Sequence, residues 1–547
     1  MKDPYASNFA YDYPLLIKNI ISFPLQFNSN QEIVSINDTR LDYKQLLIRI
    51  KKLSDSLTKI GVKKGNTIGV MNWDCHRYLE CFFSIPIIGS IIHTINVRLS
   101  NDQILYTINN AENDFIIVHS DFKDVINSIS PKFNKPVKII IIDDQNNLSE
   151  FKLNKKVSSK FDYETIILDG DDNFIFPDFD EKTLATRFYT TGTTGEPKGV
   201  TYSHRQLVLH TLAVMAGMGS FASDSRLHRD DIYMPMTPMF HVHGWGFPYV
   251  ATLMGIKQVY PGRFDPDILI NFIIEEKVSF THCVPTILNM LLTSAKQKKI
   301  QFNNLKMIIG GAALSHGLAK HALENGINVF SAYGMSETCP FVSVAEVPIT
   351  KDNNLFIEER CVTGKPAPLV ELRVVDHQMN DIPRGGDNTG EIVIRSPWLT
   401  QGYVKDQESS DKLWESGYMH TGDVGYIDYD GSLKITDRLK DIIKSGGEWI
   451  SSLELENFIS KCKDVSEVAV VSVESLKWGE RPIAIIVTNK NPIEVEKSIT
   501  NLFEKAFLKG SLPKWSKPDK IIFSDQLDKT SVGKINKKLL RQKYKDN

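Results

Sequence analysis

The sequence lacks the features that mark several classes of protein. Its six cysteines are scattered without a CxxC pair, which argues against a disulfide framework and against a cysteine-rich zinc site. Neither sign of charge is in excess, since 64 basic residues stand against 66 acidic ones, and this balance argues against binding to nucleic acid. The most apolar stretch, residues 82–95, is interrupted by polar residues, proline and glycine, and it is too short to span a bilayer, which takes about 20 apolar residues.

These absences favour a soluble protein without stable membrane insertion. Residues 1–13 lack the apolar core of a signal peptide, so we expect a cytoplasmic, reducing location. With 547 residues the chain is too long for one hydrophobic core, and two or more domains are expected.

The spacing of apolar residues predicts an α/β architecture. Leucines and isoleucines at helical spacing predict an amphipathic helix over 46–60 that stops near Gly61. Short β-branched runs alternate with helical patterns, which predicts parallel sheets covered by helices on both faces. The polar stretch 143–172 is interpreted as a surface excursion. The predicted strands are 115–118, 137–142, 278–283 and 307–309, and the predicted helices among them are 266–277 and 286–298.

A domain boundary is predicted close to residue 436. Beyond it the pattern is that of a compact unit of about a hundred residues, an ordinary size for a small domain. A helix is predicted over 492–509, with Asn491 as its N-cap. We therefore predict an N-terminal domain of residues 1–436 and a C-terminal domain of residues 437–547. The predicted strands on either side of the boundary are 390–395, 433–435, 467–473 and 482–487.

The strongest motif is the run YTTGTTGEPKGV at residues 189–200. Its glycines let the backbone approach a phosphate closely, its threonine hydroxyls can bind phosphate oxygens or Mg²⁺, and Lys198 adds a positive charge. The spacing is not that of a Walker A loop. Composition alone would also fit a surface turn, whereas the order of the residues is far more specific.

That order resembles the phosphate-loop signature of the acyl-adenylate-forming (AMP-binding) superfamily, which includes acyl-CoA synthetases, adenylation domains and luciferases. The resemblance continues in register over roughly residues 30–540. Within the superfamily, the chain looks most like bacterial and archaeal medium- to long-chain fatty acyl-CoA synthetases. The further matching motifs are SAYGMSET at 331–338, YMHTGD at 418–423, DRLKDIIKSGGE at 437–448 and KTSVGK at 529–534.

The resemblance implies a fold of two unequal domains. The expected N-terminal domain is a large α/β unit of parallel sheets flanked by helices, with a small distorted β-barrel. The expected C-terminal domain is a small α+β unit that moves about a hinge near Lys440. After the first half-reaction it would rotate and present a different face for attack by a thiol.

The resemblance also implies a site for ATP and Mg²⁺. Glu337 supplies a hard oxygen ligand, and it would hold Mg²⁺ together with Thr190. Tyr333 offers a flat face for adenine; its alternative role is that of an aromatic side chain of the hydrophobic core. Asp423 can accept hydrogen bonds from both ribose hydroxyls, and Arg438 can donate nearby. The alternative role of Arg438 is that of an ion-pair partner only. The predicted ATP- and AMP-binding residues are Thr190, Thr191, Gly192, Thr193, Thr194, Gly195, Lys198, Gly311, Ala312, Ser331, Ala332, Tyr333, Gly334, Ser336, Glu337, Asp423, Arg438, Lys440, Lys444 and Trp449.

By the same resemblance, Lys534 is the central catalytic residue. Adenylation joins a carboxylate to the α-phosphate, so negative charge must be neutralised where the two anions meet. Lys534 would bridge these groups, although a lysine in this lysine-rich tail would otherwise be read as a solvated charge. The other predicted catalytic residues are His241, Lys198 and Glu337, and the predicted channel for coenzyme A is formed by Ser445, Gly446 and Gly447.

The segment MFHVHGWGFPY at 239–249 is expected to bind the acid. His241 matches the family position beside the substrate carboxylate, and Val242 and Trp245 are the predicted acyl-pocket residues, with Trp245 at a position that gates the acyl tunnel in some relatives. A His-x-His pair on a strand is the alternative, because residues i and i+2 share a face and could bind a metal. Further apolar candidates are Phe240, Phe247, Val284 and Leu314.

The expected activity is that of an ATP-dependent acyl-CoA synthetase. The expected substrate is a fatty acid of short, medium or long chain, whose carboxylate would react with ATP to form acyl-AMP and diphosphate. Coenzyme A would then take the acyl group. The alternatives are a loader of a carrier-protein thiol, a ligase for a short hydroxy-acid, a luciferase-like enzyme and a non-enzymatic nucleotide-binding regulator. By the same resemblance the chain could form a homodimer.

Overall fold

A computed structural model of the chain describes most of its residues. The described residues are 5, 7–27, 29–144, 150–152, 154–190, 196–220, 222–223, 225–303, 305–349, 356–386, 388–446, 448–509, 512–531 and 533–545.

The strands of the described residues are short, and many are fully buried. In chain order they are β1 (Glu32–Ser35), β2 (Thr39–Asp42), β3 (Thr67–Met71), β4 (Ile91–Thr94), β5 (Phe115–His119), β6 (Val137–Ile142), β7 (Val157–Asp162), β8 (Leu184–Thr190), β9 (Lys198–Ser203), β10 (Ile232–Pro235), β11 (Lys257–Tyr260), β12 (Phe280–Cys283), β13 (Leu305–Ile309), β14 (Ile327–Tyr333), β15 (Ser343–Val344), β16 (Lys365–Pro366), β17 (Glu371–Val375), β18 (Gly390–Arg395), β19 (Met419–Ile427), β20 (Leu433–Arg438), β21 (Ile443–Ser445), β22 (Glu448–Ile450), β23 (Glu467–Ser475), β24 (Gly479–Val487) and β25 (Lys520–Phe523).

The helices alternate with the strands through most of the chain. In chain order they are α1 (Ile17–Ser22), α2 (Tyr43–Lys59), α3 (His76–Ile87), α4 (Asn101–Ala111), α5 (Lys123–Ile129), α6 (Tyr163–Leu168), α7 (His204–Gly219), α8 (Val242–Trp245), α9 (Phe247–Met254), α10 (Pro266–Glu275), α11 (Pro285–Lys298), α12 (His316–Glu324), α13 (Ile357–Cys361), α14 (Gln407–Leu413), α15 (Ser452–Ile459), α16 (Pro492–Leu508) and α17 (Lys537–Lys543).

Two large sheets form the body of the N-terminal region. One has the strand order β16-β15-β14-β13-β12-β10-β11-β1-β2, and the other has the order β7-β6-β5-β3-β4-β8-β9. Neighbouring strands at the centre of each sheet are parallel, and antiparallel pairs occur only toward the edges of the described sheets. Parallel strands buried on both faces explain the nearly continuous β-branched runs of the sequence.

Two smaller sheets follow. Strands β17 to β20 form a four-stranded antiparallel sheet, which stands where a small distorted barrel is expected. The last sheet joins β21, β22, β23, β24 and β25, and helix α16 packs on it through Val495, Ile499 and Phe503. The expected order of a large α/β region followed by a small α+β region is therefore confirmed.

Local sequence signals explain where several helices begin. Helix α2 starts with a capping box, in which Asp42 accepts from the Gln45 backbone and the Gln45 side chain accepts from the Asp42 backbone. Helix α16 starts after Asn491, whose side chain accepts from Ile493 N, and it carries proline at its first position. The first helix was predicted from the spacing of its apolar residues and the second with Asn491 as its N-cap, and both predictions are confirmed.

The interpretation of 143–172 as a surface excursion is wrong for residues 157–168. These residues form the edge strand β7, which pairs in parallel with β6, and the helix α6, which buries Tyr163, Ile166 and Ile167. The strand was missed because its sequence, VSSKFD, is polar and only partly buried, as an edge strand can be.

None of the helices in the described part of the chain combines the length and the apolar character needed to cross a membrane.

Candidate active site

The glycine- and threonine-rich loop connects two antiparallel strands. Thr190 ends β8 and Lys198 begins β9, and the two residues are paired across the hairpin. The loop positions between them that were predicted to bind phosphate, Thr191, Gly192, Thr193, Thr194 and Gly195, lie outside the described residues. Lys198 Nζ donates to Ser409 Oγ, lies 3.4 Å from an Asp406 carboxylate oxygen, and sits 4.7 Å from the centre of the Tyr403 ring.

The end of β14 brings the predicted adenine and ribose residues together. Tyr333 is the last residue of the strand, and its hydroxyl donates to Asp423 Oδ2 across 2.7 Å. Arg438 Nε donates to Asp423 Oδ1 across 3.1 Å. Asp423 is buried and lies opposite Arg438 in the pairing of β19 with β20, which explains why two residues fifteen positions apart meet. Tyr333, Asp423 and Arg438 thus form one cluster.

Glu337 is a buried carboxyl close to this cluster. Its backbone follows β14 in a short 3₁₀ turn, Ser336–Thr338, and its Oε1 accepts from Tyr403 OH across 2.8 Å. Burial raises the pKa of Glu337, while the Tyr403 hydroxyl and the charge of Arg438 oppose that rise. A carboxylate oxygen is a donor that Mg²⁺ prefers, so Glu337, beside the residues predicted to bind the nucleotide, fits the metal.

Lys534 lies in the same cavity as Tyr333. The cavity encloses about 490 Å³, including the part open to solvent, and Lys534, His241 and Tyr333 all line it. The Lys534 side chain passes close to Gly311, where an added Cβ would lie 2.8 Å from Lys534 Cε. Burial and the charge of Arg438 lower the pKa of Lys534 to about 8, although Asp423 and Glu337 act in the opposite direction.

The loop that carries Lys534 is held at both ends. Thr530 N donates to Lys534 O across 2.7 Å, and Lys534 N donates to Thr530 Oγ1 across 3.2 Å. Ser531 contacts the loop after β4, where Asn96 Nδ2 donates to Ser531 Oγ across 3.2 Å and Arg98 lies 3.5 Å from Ser531 O. The Thr-x-x-Gly that precedes the lysine in sequence therefore shapes a turn that directs Lys534 into the cavity.

The segment 239–249, which was predicted to bind the acid, contains a left-handed turn. Val242, His243, Gly244, Trp245 and Gly246 all have positive φ, so α8 is not an ordinary right-handed helix. The alternative of a His-x-His pair on a strand is wrong, because the two histidines do not lie on a strand. Val242 and Trp245 line the cavity together with Phe247.

The two histidines of this turn have different surroundings. His241 faces the cavity, and burial, with the nearby charges of Lys534 and Arg98, lowers its pKa to about 3. His243 points away toward the other large sheet, where its Nε2 is hydrogen bonded to Thr186 Oγ1 at 2.6 Å. His241 is therefore neutral at physiological pH, and His243 anchors the turn.

Other candidates occupy different places. Phe240 lines a separate small cavity with Asp74 and Arg98, and Val284 and Leu314 are buried but lie outside the described lining of the main cavity.

Of the remaining residues predicted to bind the nucleotide, some line the main cavity and others do not. Gly311, Ala332, Gly334 and Ser336 line the cavity, whereas Ser331 is buried at the end of β14 and Ala312 is exposed.

The matching motif at residues 437–448 and the neighbouring Trp449 are largely exposed in the described structure. Lys444 and Trp449 are exposed on the β21–β22 hairpin, and Trp449 is 56% exposed. Ser445 is buried and accepts from Arg481, and Gly446 packs against Trp478. Gly447 lies outside the described residues.

Lys440 of the same motif stands apart from that hairpin. Its side chain is exposed, yet its pKa is lowered by desolvation from the surrounding protein and by the charge of Arg438. Lys534 and Lys440 therefore both lie near the cluster of Tyr333, Asp423 and Arg438, whereas Lys444 and Trp449 are exposed to solvent.

Comparison with known proteins decides the family. Residues 25–404 match the model described as AMP-binding enzyme, and residues 454–534 match the model described as AMP-binding enzyme C-terminal domain. The chain belongs to the AMP-binding enzyme family. This AMP-binding enzyme is 36% identical to the 3-methylmercaptopropionyl-CoA ligase of Ruegeria lacuscaerulensis, over 97% of its own length and 98% of that relative's.

A second relative acts on a different acid. The AMP-binding enzyme is 35% identical to the long-chain-fatty-acid–CoA ligase of Thermus thermophilus, with 93% of its own chain and 91% of the relative's covered. Among solved structures, an anthranilate CoA ligase in complex with anthranoyl-AMP superposes with a TM-score of 0.85 at 21% identity, covering 98% of both chains. The expected fold and the expected enzyme class, an acid–thiol ligase, are confirmed.

Three residues of this AMP-binding enzyme's site were missed from sequence. Tyr403 contacts both Glu337 and Lys198, and Asn96 and Arg98 contact the Lys534 loop. Tyr403 follows a Gly402 and stands far along the chain from its partners, so no local pattern marks it. These contacts join residues 66 or more positions apart, which only the folded chain reveals.

Proposed function

We propose that this enzyme is an ATP-dependent acyl-CoA ligase that acts on an apolar monocarboxylic acid. The observation that carries the proposal is the convergence of Lys534 with His241 and Tyr333 in one cavity, beside the buried carboxylates Asp423 and Glu337. A cationic group, a neutral histidine and nucleotide-binding side chains in one partly closed space suit the reaction of a carboxylate with ATP.

The first half-reaction forms an acyl-adenylate. A carboxylate oxygen of the acid attacks the α-phosphorus of ATP, the bond from that phosphorus to the bridging oxygen breaks, and diphosphate leaves with the electron pair. Lys534 would neutralise the negative charge where the two anions meet, and a fixed cation in a partly desolvated site is worth more than one in water. His241, being neutral, can hydrogen bond to the carboxylate without adding charge.

The nucleotide is proposed to be held by residues that already contact one another. Tyr333 and Ala332 would flank adenine, Asp423 and Arg438 would bind the ribose, and Lys198 would contact the terminal phosphates. Glu337 and Thr190 would hold Mg²⁺, which when bound offsets the charge of the phosphates. Lys440 would add positive charge near the ribose.

The acyl chain is proposed to lie along Val242, Trp245 and Phe247. These side chains are apolar, and Ile308, Pro340 and Phe341 continue the same lining. No carboxyl side chain and no charged side chain other than Lys534 lies in the described lining of this cavity, which disfavours an acid with a second charge. One relative acts on a short thioether acid and another on long-chain fatty acids, so the test includes both short- and long-chain acids.

The second half-reaction is proposed to pass the acyl group to coenzyme A. The thiol sulfur attacks the acyl carbon, the bond from that carbon to the phosphate oxygen breaks, and AMP leaves while the thiol proton goes to solvent. The C-terminal region would rotate about Lys440, and Ser445, Gly446 and Gly447 would then border the thiol. Ser445 lies on β21, and the β21–β22 hairpin exposes Lys444 and Trp449, so this hairpin is on a surface that such a movement could present.

The test is release of AMP from Mg-ATP with a series of acids. The series runs from acetate to palmitate and includes 3-methylmercaptopropionate and hydroxy-acids, each with and without coenzyme A. AMP release that requires coenzyme A, with formation of the matching thioester, supports the proposal. Adenylate formation that coenzyme A does not discharge, but a carrier-protein thiol does, would replace it with a carrier-loading enzyme.

A further inference from the structure

The aromatic wall of the acyl cavity rests on a buried histidine. The Trp245 and Phe247 rings each stack on the His282 imidazole with ring centres 5.0 Å apart and interplanar angles of 26° and 25°. His282 itself is fully buried on β12, and the described lining of the cavity does not include it. His282 therefore lies behind the wall that an acyl chain would meet.

The imidazole of His282 is fixed in place by polar contacts at both nitrogens. Its Nε2 is hydrogen bonded to Tyr233 OH at 2.9 Å, and its Nδ1 to Thr237 Oγ1 at 3.1 Å. A neutral imidazole has one donor and one acceptor nitrogen, so both bonds can form together. Burial lowers the pKa of His282 to about 3, which keeps the ring neutral. The ring is thus a rigid support for its neighbours.

The indole of Trp245 is confined on a second side by Gly310. A Cβ at Gly310 would lie 3.0 Å from Trp245 Cη2 and 3.2 Å from Ala332 O, so glycine leaves the space that the indole needs. The backbone of Trp245 has a φ of +60°, and its turn is fixed by the bond between His243 and Thr186. Backbone, glycine and histidine together define one position of the indole.

We infer that His282 is a positioning residue that sets the depth of the acyl pocket by holding Trp245 against Gly310. The inference rests on the proposed function. With the indole in this position Trp245 forms part of the cavity wall, so the room left for an acyl chain depends on where the indole lies. A long chain requires the indole to leave His282, so the stacking contact disfavours long acids without affecting short ones. The chain-length preference of the enzyme is therefore determined by a residue that the substrate does not touch.

The experiment compares two acids across a set of variants. The kcat/KM of acyl-CoA formation is measured with propanoate and with decanoate for the parent enzyme, His282→Ala, His282→Phe, Trp245→Ala and the His282→Ala/Trp245→Ala double variant. His282→Ala is expected to raise the decanoate-to-propanoate ratio about tenfold, the scale of a change in apolar pocket contacts. His282→Phe keeps a ring beneath the indole and is expected to retain most of the parent preference.

The double variant separates positioning from general damage. If His282 acts through Trp245, then His282→Ala changes the ratio by less than about twofold once Trp245 is already alanine, because contacting residues are coupled. His204→Ala is the matched control, since it removes another buried histidine. His204 is the first residue of α7, accepts a hydrogen bond from Ile17 N and is not part of the described cavity lining. It is expected to leave the ratio unchanged.

A binding measurement guards against loss of folding or activity. Propanoyl- and decanoyl-sulfamoyl adenosine, stable mimics of acyl-AMP, are titrated into the same variants by calorimetry, and the ratio of their affinities should follow the ratio of kcat/KM. Equal losses for both chain lengths in His282→Ala, or the same ratio change with and without Trp245, would overturn the inference. Failure of the parent enzyme to bind either mimic would overturn the proposed function instead, and the inference with it.

Discussion

Tyr333 donates its hydroxyl to Asp423 across 2.7 Å, which joins the end of a strand in the nine-stranded sheet to a strand of the four-stranded sheet. Arg438 reaches the other oxygen of the same carboxylate. Both oxygens of Asp423 are therefore oriented before a ribose arrives, and the lone pairs that remain can accept its hydroxyls. Preorganised polar groups lose less entropy on binding.

The first prediction concerns that contact. Tyr333→Phe keeps the ring beside adenine and removes the hydroxyl, so the KM for ATP should rise about 3- to 10-fold, the value of one hydrogen bond, while the KM for the acid stays nearly constant. Steady-state kinetics with each substrate varied in turn provide the measurement. Tyr43→Phe is the control, because it removes a buried hydroxyl that donates to Ile256 O away from the site. An equal rise in the KM of both substrates would argue against the assigned role.

The second prediction separates the two half-reactions. Lys534→Ala should lower the rate of adenylation by at least about 10²- to 10³-fold, because it removes the cation beside the reacting anions. Thioester formation from supplied acyl-AMP should remain within about threefold of the parent rate, since Lys534 would leave the site when the C-terminal region rotates. Each step is measured alone, by diphosphate exchange and by thioester release. Lys538→Ala, in helix α17 of the same lysine-rich tail, is the control, and loss of both half-reactions would contradict the role.

The third prediction is a pH dependence. Burial and Arg438 lower the pKa of Lys534 to about 8, so its positive charge is present below that pH and is lost as the pH rises through it. The kcat/KM of adenylation should therefore fall above pH 8. Bound anions favour the charged form, so the fall in kcat should lie at higher pH than the fall in kcat/KM. Lys534→Arg stays charged and should lack this fall, although its absolute rate is lower. A fall at the same pH in the arginine variant would assign it to another group.

The fourth prediction concerns stability. Asp74 is buried, and its Oδ1 accepts from Met239 N across 2.8 Å, next to the acid-binding turn. Burial raises the pKa of this carboxyl from 3.8 to about 7, against the opposing effects of the Met239 bond and the charge of Arg98. A raised pKa means that the stabilising contribution of the protonated form is complete below about pH 4 and is lost as the pH rises to 7.

Asp74→Asn keeps an oxygen that can accept from Met239 and cannot ionise. The Tm of the variant relative to the parent should therefore rise between pH 5 and pH 8, by roughly 1–4 °C. Asp74→Ala, which loses the acceptor, should be less stable than the parent at pH 5. Differential scanning fluorimetry over that pH range is sufficient, and a Tm difference that does not change with pH would show that Asp74 does not titrate there.

The sequence was informative where local preference and tertiary structure agree. The strand 137–142 was predicted with the bounds that β6 has, because its isoleucines are buried on both faces. The helix over 492–509 differs from α16 by one residue at its end, because Asn491 and proline mark its start.

The sequence was uninformative where tertiary contacts override local preference. Val242 and Trp245 have positive φ, which a β-branched or bulky residue rarely adopts, so no pattern predicts a left-handed turn there. The turn is stabilised by contacts such as that of His243 with Thr186, 57 positions away in the chain. Tyr403 was missed for the same reason, because its two partners come from separate segments.

The contacts that Lys198 makes within the protein bear on which nucleotides the enzyme can bind. Its ammonium group is shared by Ser409, Asp406 and the Tyr403 ring, so an incoming phosphate must displace an anion that the enzyme itself provides. Because lysine and aspartate are each 37% exposed, the displaced pair is weak, and a triphosphate offers ample charge to replace it. A nucleoside without phosphates offers none and leaves the pair intact. If Lys198 binds phosphate as proposed, exchange of this internal counter-ion would favour a nucleoside triphosphate over an unphosphorylated nucleoside.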